Sequence, residues 1–167
     1  MSVEIRLVVP EEWRRVRDLR LRALADAPDA FGSSLERERR HGESEWLGWI
    51  SGWPGATNAL FVAEDGDRWV GMAVGSRPED GADAYLYGMW VEPASRRAGV
   101  GARLVEAVLA WVAGTGARAI VLDVTESNRD ALGLYKRMGF EETGQWHPLR
   151  EGSAIQARVL RLGLERS

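Results

Sequence analysis

Between Arg96 and Gly101 the chain reads Arg-Arg-Ala-Gly-Val-Gly, and Leu104, Val105, Val108, Leu109, Trp111 and Val112 follow at helical spacing. A helix start preceded by glycines offers unpaired backbone N–H groups and the positive end of the helix dipole, a surface suited to a phosphate or pyrophosphate. Arg96 and Arg97 add fixed positive charge. Two common anion loops do not fit. A Walker A loop requires Lys followed by Ser or Thr after its last glycine, where this chain has Ala102-Arg103. The dinucleotide fingerprint requires a third glycine where Leu104 stands, so Asp123, although at a suitable distance downstream for a ribose contact, is a decoy.

A third pattern does fit. Arginine or glutamine, two free positions, glycine, one free position, then glycine or alanine is a signature of acyl-CoA transferases, and Arg96, Gly99 and Gly101 fill it. A second segment follows, with Asn128, Ala131 and the run Leu134-Tyr135-Lys136-Arg137-Met138-Gly139-Phe140. On these two motifs the chain resembles the GNAT superfamily of acyl-CoA-dependent N-acyltransferases, specifically from about Tyr85 to Phe140 and only in outline elsewhere. The resemblance implies acetyl-CoA (coenzyme A) as co-substrate, no metal, and transfer of the acetyl group to a primary amine by direct attack in a ternary complex. It implies that the backbone of Met89, Trp90 and Val91 pairs with the pantetheine arm, with the Val91 N–H facing the thioester carbonyl. Arg96, Arg97, Ala98, Gly99, Val100, Gly101 and Ala102 would wrap the pyrophosphate, and Asn128, Ala131 and Tyr135 would meet the rest of the donor.

Such a transfer needs a held thioester, a stabilised oxyanion, a neutral amine and a proton for the departing thiolate. Tyr135 is the candidate acid, since a free tyrosine titrates near pH ~10 and is protonated at neutral pH; its bland alternative is a core aromatic on a helix. Asn128 suits a helix cap as well as a pantetheine contact. The base stays open. Where several family members carry a glutamate on the central strand, this chain has Tyr85, which leaves Glu92 and His147 as candidates beside a water relay or an amine that arrives neutral. Phe31, Trp49, Tyr85 and His147 are the candidate acceptor-site residues, in a cleft walled by the Phe31 loop, part of the Trp46–Trp53 segment and the Trp146–Gly152 loop. Aromatics there with few acids favour a partly apolar amine over a polyamine. A catalytically silent acyl-CoA-binding module would explain the loop but not Tyr135, and a tryptophan-rich interaction domain would leave both motifs as coincidence.

These residues must be carried by definite elements. The aromatic and branched run Ala84 to Val91 predicts a strand, ended by Pro93. Upstream, Val3 to Val9 alternates as a strand, and Pro10-Glu11-Glu12 opens a helix with Val16, Leu19, Ala23 and Leu24 on its inner face and its arginines mostly solvated. Leu35 to Trp53 predicts a second helix, closed by Pro54-Gly55. Leu60–Ala63 and Trp69–Val74 flank an Asp-Gly hairpin turn, and Arg77 to Gly81 reads as a loop. Downstream come a buried strand from Ala119 to Val124, a helix from Asn128, and two strands over Phe140–Trp146 and Ala154–Leu164. This order predicts an α/β (α+β) fold with a mixed, mostly antiparallel central sheet and helices on both faces, the arrangement a GNAT domain has.

A chain of 167 residues is of single-domain length, and 45% hydrophobic with 28% charged residues places it among ordinary globular proteins, so residues 1–167 are expected to form one domain. A formal charge of −3 gives no general attraction to nucleic acid or anionic membrane. The absence of cysteine removes disulfides, thiolate metal sites and a cysteine acyl-enzyme. With no apolar run of signal or spanning type, a cytoplasmic protein is expected, with a small-molecule or peptide amine as partner, no nucleic acid, no membrane, and a homodimer as an admissible assembly.

Overall fold

A computed structural model describes residues 2–50, 57–79 and 81–164. Trp53, Pro54-Gly55 and Asp80 lie outside the described residues. In chain order the elements are β1 (Val3–Leu7), a 3₁₀ turn (Pro10–Glu12), α1 (Trp13–Asp26), α2 (Leu35–Arg39), α3 (Glu43–Ile50), β2 (Asn58–Asp65), β3 (Arg68–Ser76), β4 (Asp83–Val91), a second 3₁₀ turn (Pro93–Ser95), α4 (Val100–Ala113), β5 (Ala119–Thr125), α5 (Arg129–Arg137), β6 (Glu141–Pro148) and β7 (Gln156–Gly163).

The described strands form one seven-stranded sheet in the order β1-β2-β3-β4-β5-β7-β6, in which β4 and β5 are the parallel pair and the other neighbours run antiparallel. Its alternating strands bury residues on both faces. On one face α1 and α3 cover Leu60, Val62, Met72 and Val74 with Val16, Leu19, Trp46 and Ile50. On the other, α4 and α5 cover Ala73, Leu86, Ile120 and Leu122 with Leu104, Val105, Val108 and Tyr135. The expected sandwich is the observed one, and no described helix is long and apolar enough to cross a membrane.

One element differs from expectation. The single second helix is two short ones, α2 and α3, because each has its own start signal: Ser34 Oγ accepts the Arg37 N–H at 3.2 Å, and Glu45 Oε2 accepts the Gly42 N–H at 2.8 Å. Satisfying the backbone donors locally makes a restart at Gly42 as good as a continuous helix.

Candidate active site

Parallel pairing between β4 and β5 covers only Asp83–Tyr85 against Ala119–Val121, after which the strands part and leave a cleft of about 630 Å³. Tyr85 to Met89 form one wall and Val121 to Thr125 the other, with Asn128, Ala131 and Tyr135 of the α5 region between them. A bulge deflects β4 there. Trp90 pairs with Met72 and Tyr87 with Val74, so Gly88 and Met89 together oppose Ala73. Gly88 has φ 63°, and a Cβ on it would meet Val74 at 3.3 Å and Arg20 Nη1 at 3.7 Å.

Beyond the bulge the Glu92 N–H donates to the Val70 carbonyl at 2.8 Å. Alternation along an antiparallel ladder then turns the Val91 N–H and C=O toward the opposite edge, away from β3. The carbonyl is taken by Arg96 Nε at 2.8 Å. Arg96 also pairs with Asp26, whose other donor is Trp90 Nε1 at 2.9 Å, and the tryptophan bond first, then the arginine, holds the Asp26 carboxyl below its usual range. Of the two loop arginines, Arg96 is therefore engaged within the protein, while Arg97, exposed and at φ 64°, has no ion pair among the described residues.

Gly99 caps α4 at φ 80° with open space where a Cβ would stand. The N–H groups of Val100, Gly101 and Ala102 follow it in the first turn, where an α-helix provides them no carbonyl. Gly101 serves packing instead: its Cβ would lie 3.0 Å from Met89 Cε and 3.3 Å from Leu134 Cδ2. The turn is thus joined to the cleft wall through Met89. The side chains of Trp90 and Val91 belong to the core on opposite faces of the sheet, so any donor contact there falls to their backbone.

Asn128 caps α5, its Oδ1 accepting the Ala131 N–H at 3.2 Å, and lines the cleft as well. Tyr135 also lines it. The ring is 5% exposed, packed edge-on against Phe140 at 5.7 Å, and its hydroxyl has no protein hydrogen-bond partner among the described residues. Burial pushes the phenol well above its ordinary range.

Of the candidate acceptor residues, Phe31, Tyr85 and His147 line the cleft. Trp49 does not line it. It stands near Tyr87 and the Arg20 guanidinium, whose centre is 5.9 Å from its ring, because α3 packs behind that wall. Glu92 is also excluded from the cleft and from the role of base: it is 8% exposed, ion-paired with Arg22 and with Arg68 at 2.7 Å, and Arg68 foremost holds its carboxyl below the usual range. His147 is a poor base for a different reason. Nδ1 faces the Pro148 carbonyl at 2.8 Å and Nε2 faces Asp123 Oδ2 at 3.0 Å, two acceptors that call for two N–H donors. The Pro148 carbonyl first and Asp123 next raise its pKa, favouring the imidazolium.

Sequence reasoning passed over three residues here. Asp123, set aside as a dinucleotide decoy, is the one carboxylate among the described cleft-lining residues. Gly88 carried a usable signal, since an isolated glycine inside a strand marks a bulge. Arg20 did too, at the middle of the buried 16, 20, 24 row of α1. It is 9% exposed, bonded to Glu38 through Nε at 2.9 Å and Nη2 at 3.1 Å, and stacked 4.8 Å from the Phe31 ring centre. Burial opposes the charge of Glu38, but the bonds and charge of Arg20 outweigh it, so the carboxyl stays below its usual range. Arg150 closes this side, donating to the carbonyl of Phe31 at 2.8 Å and to those of Pro28 and Ser33 at 3.4 Å each.

Comparison with known proteins agrees with this geometry. The acetyltransferase (GNAT) family matches residues 13–140. Human N-acetyltransferase 8 is 33% identical over 93 residues, covering 53% of this chain and 40% of that protein. A mycothiol acetyltransferase of Geodermatophilus obscurus is 34% identical over 135 residues, covering 78% of this chain and 40% of its own. The chain thus spans about 40% of the length of these relatives. Among solved structures, an acetyltransferase of the GNAT family from Streptococcus pneumoniae superposes with a TM-score of 0.84 at 16% identity, over 98% of this chain and 100% of that one. A putative acetyltransferase from Salmonella typhimurium, solved with its cofactor acetyl-CoA, gives 0.81 at 18% identity over 100% and 96%.

Proposed function

The chain belongs to the GNAT family of acetyltransferases, and on that premise we propose that it moves an acetyl group from acetyl-CoA to a primary amine by direct attack while both are bound. The residues present suit the donor. A turn with Gly99 open to solvent and the unpaired N–H groups of α4 matches a pyrophosphate, with Arg97 beside it as the uncommitted cation. Along β4 the Val91 N–H and C=O face away from β3 and support main-chain pairing with the donor, the Val91 N–H remaining the candidate for the thioester carbonyl and Met89 and Trp90 flanking it. Asn128 and Ala131 flank the same path.

The observation that carries the enzymatic reading is Tyr135, a buried phenol facing the cleft without a protein partner for its hydroxyl. In the proposed step the amine nitrogen attacks the thioester carbonyl, the carbon–sulfur bond breaks, the thiolate takes the phenolic proton, and the amine releases its own proton to water. The apolar surroundings that raise the phenol also raise the proton affinity of a thiolate placed beside it, which keeps the transfer balanced. The acceptor would enter between Phe31, Tyr85 and His147, a largely aromatic cleft that supports a partly apolar amine.

The test is release of free CoA thiol when acetyl-CoA is mixed with a panel of aromatic, aliphatic, carboxylate-bearing and polyamine acceptors. Thiol release that depends on an apolar amine is the expected result. Donor binding without turnover across the panel would instead identify a silent acyl-CoA-binding module, and strong turnover confined to spermidine would contradict the acceptor preference.

A further inference from the structure

Among the described residues Arg20 is the one cleft-lining cation that is nine-tenths buried, and a buried guanidinium is costly unless its donors are used. Glu38 uses the Nε and Nη2 side in a two-point pair, which with the Phe31 ring fixes the plane of the group. Nη1 is left over. It has no acceptor among the described residues, and it lies beside Gly88, the cleft-lining residue at the β4 bulge. A Cβ at Gly88 would stand 3.7 Å from Nη1, so the glycine leaves this donor uncovered by a side chain on the β4 side.

Across the cleft, Asp123 and His147 hold each other at 3.0 Å, so the charges lining the acceptor side are already matched in pairs. The unmatched group is a preoriented N–H donor edge. We infer that the acceptor amine carries a carboxylate, and that Arg20 Nη1 binds it while Phe31 and Tyr85 pack the body of the molecule. Arg20 is in this sense the specificity-determining residue of the acceptor site. The inference rests on the acetyl-transfer reading above and names the acceptor class that reading leaves open. Because the Arg20–Glu38 pair is neutral as a unit, selection comes from charge-assisted hydrogen bonds to a fixed donor edge rather than from net charge.

The experiment compares three acids of different amine-to-carboxylate spacing, L-phenylalanine, 3-amino-3-phenylpropanoate and 4-(aminomethyl)benzoate, each with its own primary amide, by CoA thiol release in the whole protein. For at least one spacing kcat/KM is expected to favour the acid by roughly 10- to 100-fold, the value of a charged hydrogen bond to a buried donor. Amides equal to or better than acids at all three spacings would overturn the inference while leaving acetyl transfer intact. No turnover of any acid or amide, with acetyl-CoA still bound, would overturn acetyl transfer itself. Since Arg20→Gln alone strands Glu38, the variant to use is the double replacement R20Q/E38Q, checked for a cooperative unfolding transition. The acid-to-amide ratio is expected to collapse toward one through a higher KM for the acid. A loss of kcat equal for acids and amides, with KM unmoved, would instead place Arg20 on the thioester and sink the proposal.

Discussion

The two halves of the cleft are built from different material. The donor half is main chain: a bulged strand, a turn at positive φ and a helix start, all between Gly88 and Ala102. The acceptor half is side chain: Arg20, Phe31, Tyr85, Asp123 and His147 come from α1, the loop after it, β4, β5 and β6. A main-chain site is vulnerable at the few positions where any Cβ or charge intrudes. A side-chain site is vulnerable to the removal of single functional groups, and its preferences shift more readily than its existence.

Tyr135 stands where the halves meet and gives the largest expected effect on rate. Tyr135→Phe should lower kcat by roughly 100-fold or more, the usual loss for one positioned acid, with acetyl-CoA affinity kept. Single-turnover kinetics with calorimetric donor binding separates the two; an affinity loss with kcat retained would make Tyr135 a packing residue of the donor half. Next comes Gly99→Glu, which sets a negative charge beside the pyrophosphate path. At about 5 Å and an effective dielectric near 20 that costs about 3 kcal/mol, two decades in Kd for CoA. Gly99→Asn, tolerant of the left-handed region, should cost only a few-fold, and equal losses for both would mean that backbone strain rather than charge controls the turn.

A smaller, local effect is expected at His147. Its raised pKa in the folded chain means that its stabilising contribution is complete below the ordinary value of about 6.5 and is lost as pH climbs through the raised value. Asp123→Asn removes the negative charge of one of the two partners, so the ring titration followed by NMR should move partway back toward 6.5, the Pro148 carbonyl holding the remainder. An unmoved titration would uncouple the pair. Least of all should change with Glu92→Gln: kcat within about two-fold of the parent, but a chain less stable by about 1–3 kcal/mol from weakened bonds to Arg22 and Arg68. A large kcat loss at intact stability would return Glu92 to the site.

The same contrast explains what was legible in the sequence. The turn from Arg96 to Gly101 and the helix that follows are local, so residue order alone located them, as it located the hairpin around Gly66 and each strand to within two residues at either end. Gly88 was readable as a bulge but was hidden inside a convincing aromatic strand. Arg20 was absorbed into a set of solvated arginines, because its partner Glu38 stands on another helix, eighteen positions on, and periodicity carries no information about which charges meet. Glu92 misled for the converse reason. A carboxylate at a strand end near a site resembles a base until Arg22 and Arg68 are seen around it.

Arg150 grips the 27–34 loop entirely through main-chain carbonyls, those of Pro28, Phe31 and Ser33. A carbonyl is the same acceptor whichever side chain its residue bears. Replacement of Ala30, Phe31 or Ser33 therefore leaves these three acceptors available, so the path of the loop is anchored separately from the side chains it presents, and a change in those side chains need not cost the loop its anchor.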